Sequence, residues 1–154
     1  MLPRCRREIP YHSVWSIGLA EILLRQGIFP KIALSHAEKA FNLFQSGQER
    51  ITSSCQIGVI LATKGWALAA LGHRAEAQEA IHPALNSPAR KTRGPLAQVH
   101  FKAGMSFLAL SDAAHAEQHF ASGAGLDPAG RWGRLCADAL NGQRQTTRTS
   151  PSRE

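Results

Sequence analysis

A chain of 154 residues has the length of one domain, and its many alanines and leucines with few valines favour helices over sheet. The three cysteines, Cys5, Cys55 and Cys136, lie far apart, which excludes a disulfide framework and a cysteine-based zinc site and favours a reducing, cytoplasmic compartment. The net charge of +7 admits nucleic acid, an acidic membrane or an acidic protein as partner, but no apolar run is long enough for a transmembrane segment.

The front of the chain predicts a helical hairpin that follows a flexible basic arm, residues 1–11. Ser13 can cap a first helix that continues to about Gln26. A second helix is expected from Pro30 to about Phe44, because proline is favoured in the first turn of a helix. The apolar face of the first helix is expected to consist of Trp15, Leu19, Ile22 and Leu23.

The middle of the chain predicts a second hairpin. Its first helix is expected from about Ile51 to Leu71 and should stop at Gly72. Its second helix, about 75 to 85, contains Pro83, which should kink or shorten it. A polar and basic loop follows, and its cationic residues are Arg90, Lys91 and Arg93.

The stretch from Gln98 to Pro128 gives the clearest pattern, two short antiparallel helices joined by a tight turn. Asp112 is expected to cap the second of these helices. A capping helix is predicted at 131–141, and residues 142–154 are expected to be disordered because they offer no apolar side chain to a core. The residues expected to cover the end of the stack are Trp132, Leu135, Cys136 and Leu140.

This last hairpin resembles a tetratricopeptide repeat, whose signature is W-x2-L-G-x2-Y, then A-x3-F, then a proline. The residues that fit in kind and spacing are Gly104, Phe107, Ala116, Phe120 and Pro128, with His100 in place of the tryptophan. A second copy falls at Gly65, Leu68, Gly72, Ala77 and Ile81, and a weaker one at Leu24, Gly27 and Ala33. The units are spaced more widely than the family period of about 34 residues, as in longer-period arrays of this kind.

The resemblance implies an all-α fold, a short right-handed α–α superhelix of about three helical hairpins with a C-terminal capping helix. The helical domain would cover 12–141, with repeats at approximately 13–46, 51–88 and 96–128. The small and aromatic residues of the signature would pack the repeats together. These packing positions are Gly65, Gly72, Ala77, Ile81, Gly104, Phe107, Ala116, Phe120 and Pro128.

In the tetratricopeptide family, the first helices of successive repeats line a concave groove in which peptides lie. The matching positions here are Val59, Ala62, Trp66, Ala69, Gln98, Phe101, Met105 and Leu108. Lys64 and Lys102 lie nearby but no matching asparagines accompany them, so we expect an apolar groove without a carboxylate clamp. The same side chains could instead pack against the end helix or against a second copy of the chain.

No pattern in the sequence predicts catalysis or a cofactor. His115 and His119 lie four residues apart on one helix and could meet one metal ion, but no third ligand is placed by the sequence, and we expect none bound. Gly123 and Gly125 follow a helix rather than a strand and lack the lysine of a phosphate-binding loop.

We therefore expect a protein–protein interaction module or scaffold that binds an apolar peptide or helix of a partner protein, with self-association as a further possibility. One alternative is a partner or effector domain, or a fragment, of a bacterial regulatory protein. A less favoured alternative is nucleic-acid binding, in which affinity would fall steeply with added salt. That function would use Arg90, Lys91, Arg93, Arg131 and Arg134.

Overall fold

The computed structural model describes residues 12–46, 55–86 and 93–149. Over these ranges the protein is all-α and contains no strand, which confirms the predicted fold class at that level. The helices are α1 His12–Gln26, α2 Pro30–Gln45, α3 Cys55–Ala70, α4 Arg74–Leu85, α5 Arg93–Ala109, α6 Ala113–Leu126 and α7 Arg131–Thr149. The predicted arm, the predicted start of the third helix at Ile51, the cations at 90–91 and the last five residues lie outside the described ranges.

The same backbone turn closes the first helix of each pair. One of the first two residues after the helix has a positive φ: 67° at Gly27, 81° at Gly72 and 61° at Ser111. The next amide donates to the carbonyl five residues back, with N···O distances of 3.1 Å for Ile28, 2.9 Å for His73 and 2.8 Å for Asp112, the last to Phe107. This is the Schellman arrangement, which satisfies the last carbonyls of a helix. Its threefold recurrence makes α1–α2, α3–α4 and α5–α6 a structural repeat.

The turns differ in length at the first hairpin. One residue separates the positive-φ position from the next helix in the second and third hairpins, whereas Ile28 and Phe29 separate it from α2. Phe29 itself has φ 49° and ψ 54°, a left-handed conformation in a non-glycine residue. At the third hairpin, Asp112 caps α6 as predicted, since its Oδ1 accepts from the His115 amide at 3.2 Å.

Two glycines allow the helices of a hairpin to approach closely. A Cβ built on Gly65 would lie 2.6 Å from Ile81 Cγ1, and one on Gly104 would lie 2.5 Å from Phe120 Cε1. Each distance is shorter than non-bonded carbon atoms tolerate, so a side chain at either position would require Ile81 or Phe120 to shift. Ala116 of α6, another predicted packing position of the last hairpin, is fully buried.

The last helix, α7, covers the end of the stack. The ring centroids of Trp132 and Phe101 are 5.7 Å apart, and those of Phe101 and Phe120 are 6.1 Å apart. Cys136 is fully buried, and its Sγ would contact a Cβ at Gly123. The aromatic cluster therefore joins α5, α6 and α7.

Two local features differ from the sequence predictions. Of the four side chains of α1 that we expected in the core, Trp15, Leu19 and Ile22 are exposed, and only Leu23 packs against it, partly buried. The buried side of the helix carries Ile17, Ala20 and Leu24 instead. The helix α4, by contrast, contains Pro83 and ends at Leu85, as predicted. The segment expected to be disordered from 142 onward continues α7 as far as Thr149. The extension follows α6, where Gln143 Nε2 donates to the carbonyl of Ala113 at 3.4 Å.

Candidate functional site

A cleft of about 480 Å³ opens where α1, α3, α5 and α7 meet. These are the first helices of the three hairpins together with the helix that closes the stack, so the cleft lies on one side of the repeat array. Its lining comes from positions far apart in the chain: Ser13, Val14, Ile17, Gly18, Glu21, Val59, Ile60, Pro95, Gln98, Arg131 and Trp132.

The cleft combines apolar walls with a few polar groups. Ile17, Val59 and Ile60, which belong to one apolar cluster, line the cleft together with Trp132. The guanidinium of Arg131 lies 5.0 Å from the centre of the Trp132 ring, a cation–π contact between neighbours on α7. A binding cleft with this composition recognises apolar side chains and orients them through a small number of hydrogen bonds.

A buried ammonium group lies beside the cleft. Lys102 on α5 has no exposed surface, and its Nζ donates to Thr63 Oγ1 on α3 at 2.7 Å. Thr63 Oγ1 in turn donates to the carbonyl of Val59, which lines the cleft, at 2.8 Å. Nζ also lies 5.9 Å from the centre of the Trp132 ring. The lysine therefore links α3, α5 and α7 behind the cleft.

Burial dominates the electrostatics of this lysine. Loss of solvation lowers the pKa of Lys102 to about 8, and the negative charge of Glu21 partly opposes that change. Glu21, on α1, lines the cleft, and its Oε1 is buried and accepts no hydrogen bond from any residue that the structure describes. Because its pKa stays above 7, Lys102 remains mostly charged at neutral pH. A buried charge of this kind is costly and is often kept for function.

The predicted groove residues divide between cleft and core. Val59 and Gln98 line the cleft. Trp66 and Phe101 are only 2 % and 5 % exposed and contact each other edge to face at 6.1 Å between ring centroids. Ala62 and Ala69 are likewise buried, while Met105 and Leu108 are partly buried against the core. The aromatic pair thus packs the inside of the array.

Glu21 and Arg131 line the cleft but are not among the groove residues predicted from the sequence. Both come from the ends of the array, where α1 and α7 complete the surface formed by α3 and α5. The repeat pattern could have indicated Glu21. Because the first helix of each hairpin lies on the same surface, the side of α1 that faces α3 is also part of the groove. Trp132 was expected only as a cover for the stack, and it also lines the cleft.

The histidines of the third hairpin pack with each other and with Phe107. The ring of Phe107 stacks with His115 and with His119, at 5.2 Å and 5.3 Å between centroids, and His119 faces His100 with 3.2 Å between their Nδ1 atoms. Burial and the neighbouring His119 lower the pKa of His100 to about 4, so its ring is neutral at pH 7. Within the described ranges, no three His, Cys, Asp or Glu side chains are grouped to hold a metal ion.

The cations considered for nucleic-acid binding are only partly described. Arg93, Arg131 and Arg134 are exposed, on α5 and α7. None of the helices in the described ranges is both long and apolar enough to cross a membrane.

Comparisons with protein-family models, with curated proteins and with solved structures find no match to this chain.

Proposed function

We propose that this chain is a tetratricopeptide-like interaction module without catalytic activity, and that it binds a peptide segment of a partner protein in the cleft between α1, α3, α5 and α7. The observation that carries this function is the position of the cleft, on the surface formed by the first helix of every hairpin. The recurring Schellman turn supports a repeat origin for that surface.

The chemistry of the lining favours a peptide over a strongly charged ligand. Gln98 can both donate and accept, Glu21 can accept, and Arg131 can donate, which together match the N–H and C=O groups of a peptide backbone. The apolar walls at Val59 and Ile60 suit one or two aliphatic or aromatic side chains. A peptide with such side chains would bury them against Trp132, and aromatic contacts of this kind often dominate binding energy.

A cleft-filling variant tests this function. Gly18 lines the cleft, and a Cβ at this position would have no atom within 4 Å. Gly18→Phe should therefore fill the cleft without displacing core atoms. Gly125→Phe is the matched control, since Gly125 on α6 is exposed and equally open.

The probe is a phage-displayed library of random short peptides, selected on the wild-type chain. We expect enriched peptides that bind the Gly125→Phe variant as they bind the wild type and lose about tenfold or more in affinity, roughly 1.4 kcal/mol, on Gly18→Phe. Peptides that bind both variants equally, or no enrichment on the wild type, would count against the cleft. Affinity that disappears with moderate salt would favour a charge-driven site instead.

A further inference from the structure

All the large hydrophobic side chains that are exposed within the described residues fall in one short part of the chain. They come from α1, the turn after it and the first turn of α2, and their exposed fractions range from 40 % to 66 %. We call this surface the N-terminal apolar patch. Its members are Val14, Trp15, Leu19, Ile22, Ile28, Phe29 and Ile32.

The patch is the second apolar face of α1. Trp15, Leu19 and Ile22 follow one another at spacings of four and three residues, which places them in one stripe along the helix. Ile17, Ala20 and Leu24 make the opposite stripe and are buried against the rest of the protein. A helix that is apolar on both sides is typical of a position covered on both sides. The described residues that pack on α1 cover only one side of it.

The opposite end of the array is covered by α7. There α7 turns Trp132, Leu135 and Cys136 toward the core, while Arg134 and Asp138 are exposed. Because that outer surface is charged, a second copy cannot stack its apolar patch on it in head-to-tail fashion. Two copies that meet patch to patch, however, would form a closed pair with a polar α7 at each end.

The size of the patch suits an interface between two proteins. An aromatic side chain offers on the order of 150–250 Å² and an aliphatic one less, so two aromatic and five aliphatic side chains at about half exposure offer roughly 500–700 Å². The largest apolar patch on a typical monomer is about 300–600 Å². A stable interface of standard size takes about 800 Å² from each partner. The patch is therefore large for a monomer and near the area that a dimer needs.

We propose that two copies of this chain form a symmetric dimer through the N-terminal apolar patch. The patch is mostly apolar, which favours a second copy over a charged partner, because Glu21 turns to the cleft and the exposed charged residues between Ser13 and Ile32 are Arg25 and Lys31. A mostly apolar surface is complementary to itself about a twofold axis. The eleven residues before α1 are a poorer cover, since four of them are charged: Arg4, Arg6, Arg7 and Glu8.

Sedimentation velocity of the full chain from low to high micromolar concentration tests the dimer. Trp15→Glu/Ile22→Glu places two charges in the centre of the patch, at side chains that are already exposed. Ala114→Glu/Ala121→Glu is the matched control, with the same seven-residue spacing on exposed positions of α6. We expect the wild type and the control to be dimers, and the patch variant to dissociate with a Kd about a hundredfold weaker or more. Circular dichroism should be the same for all three.

A wild type that stays monomeric over the whole range, or a patch variant that dimerises like the control, would overturn the dimer. If the full chain is monomeric and a chain lacking residues 2–11 dimerises, the N-terminal segment covers the patch instead, which also overturns it. Val14 belongs to both the patch and the cleft, but neither Trp15 nor Ile22 lines the cleft. The patch variant can therefore lose dimerisation and still bind peptide, so the two proposals are tested separately.

Discussion

Gly104 controls how closely α5 and α6 pack. Its neighbour Phe120 is fully buried, so the ring cannot move away from an added methyl group that would lie 2.5 Å from it. We expect Gly104→Ala to lower the free energy of unfolding by about 1–3 kcal/mol, the usual cost of overpacking a core. This loss should outweigh the roughly 1 kcal/mol by which alanine favours a helix over glycine.

Urea unfolding of Gly104→Ala and Gly18→Ala separates the two effects. Gly18 also lies inside a helix but has open space where a Cβ would stand, so its replacement by alanine should raise stability by up to about 1 kcal/mol. Equal changes in the free energy of unfolding, of the same sign in the two variants, would show that packing of Gly104 against Phe120 does not affect stability.

The lowered pKa of Lys102 makes the free energy of unfolding depend on pH. Its pKa falls from an ordinary value of 10.5 to about 8 in the folded protein. Between these values the unfolded chain binds more protons than the folded one, so the free energy of unfolding should rise with pH through this window. Below pH 8 both states are charged, and the full cost of the buried charge, about 3 kcal/mol, is present.

The variant Lys102→Met tests this dependence because it keeps the volume and removes the charge. We expect it to be more stable than the wild type at pH 7 and to lose about 3 kcal/mol of that advantage between pH 8 and 10.5. The buried thiol of Cys136 has its pKa raised to about 12, so its contribution falls with pH above 9 in both proteins and cancels in the difference. Lys39→Met, on exposed α2 surface, controls for the loss of charge. An advantage that is constant with pH would contradict the shifted pKa.

At the scale of helices and turns, the sequence is most informative where the chain reverses. A stop such as Gly72, or Ser111 followed by the capping residue Asp112, marks a turn by its own conformational and hydrogen-bonding preference. The side on which a helix is buried is harder to predict. On α1 the bulky stripe through Trp15 and Ile22 looks like a core face, yet the buried side carries Ile17, Ala20 and Leu24. Ala20 and Leu24 belong to the same buried cluster as Ala33 of α2.

The groove shows why a site formed by several helices is only partly predictable. Positions within one repeat follow from spacing, and two of them, Val59 and Gln98, line the cleft. Whether Phe101 is accessible depends on α7, whose Trp132 packs on it from outside the repeat pattern. No local spacing connects Glu21 with Arg131, since more than a hundred residues separate them. Such a pairing requires the order in which the hairpins stack.

The two halves of α7 should contribute very differently to stability. Its first half covers the Phe101–Phe120 cluster, whereas beyond residue 141 its contacts include an exposed pair, Arg144 and Glu117, at 3.9 Å. A chain ending at residue 141 should therefore lose less than about 1 kcal/mol, as expected for exposed ion pairs. A chain ending at residue 130 should lose cooperative unfolding, because it leaves the aromatic cluster in water.

Thermal denaturation followed by circular dichroism distinguishes the two truncations. A sharp transition is expected from the chain ending at 141 and a broad or absent one from the chain ending at 130. If both melt like the full chain, α7 does not cover the core in solution. If both melt broadly, the segment after 141 carries more of the packing than its exposed contacts indicate.

The protein as a whole is an array in which each hairpin packs mainly on its neighbours, so stability should vary along it. The third hairpin lies between α3 and α7, whereas the first is covered by the array on one side only. Local opening costs less where less apolar surface is buried, and amides there exchange faster with solvent. For the monomer we therefore expect faster amide exchange in α1 than in α5, by an order of magnitude or more.

Hydrogen exchange measured at several protein concentrations connects this gradient to the proposed dimer. In the wild type, α1 should become more protected as concentration rises, because dimerisation covers its second apolar face, while α5 should stay unchanged. In Trp15→Glu/Ile22→Glu, α1 should exchange rapidly at every concentration. Uniform exchange along the monomer would mean that the array opens as one unit. Protection of α1 that rises equally in the patch variant would place the contact elsewhere on the molecule.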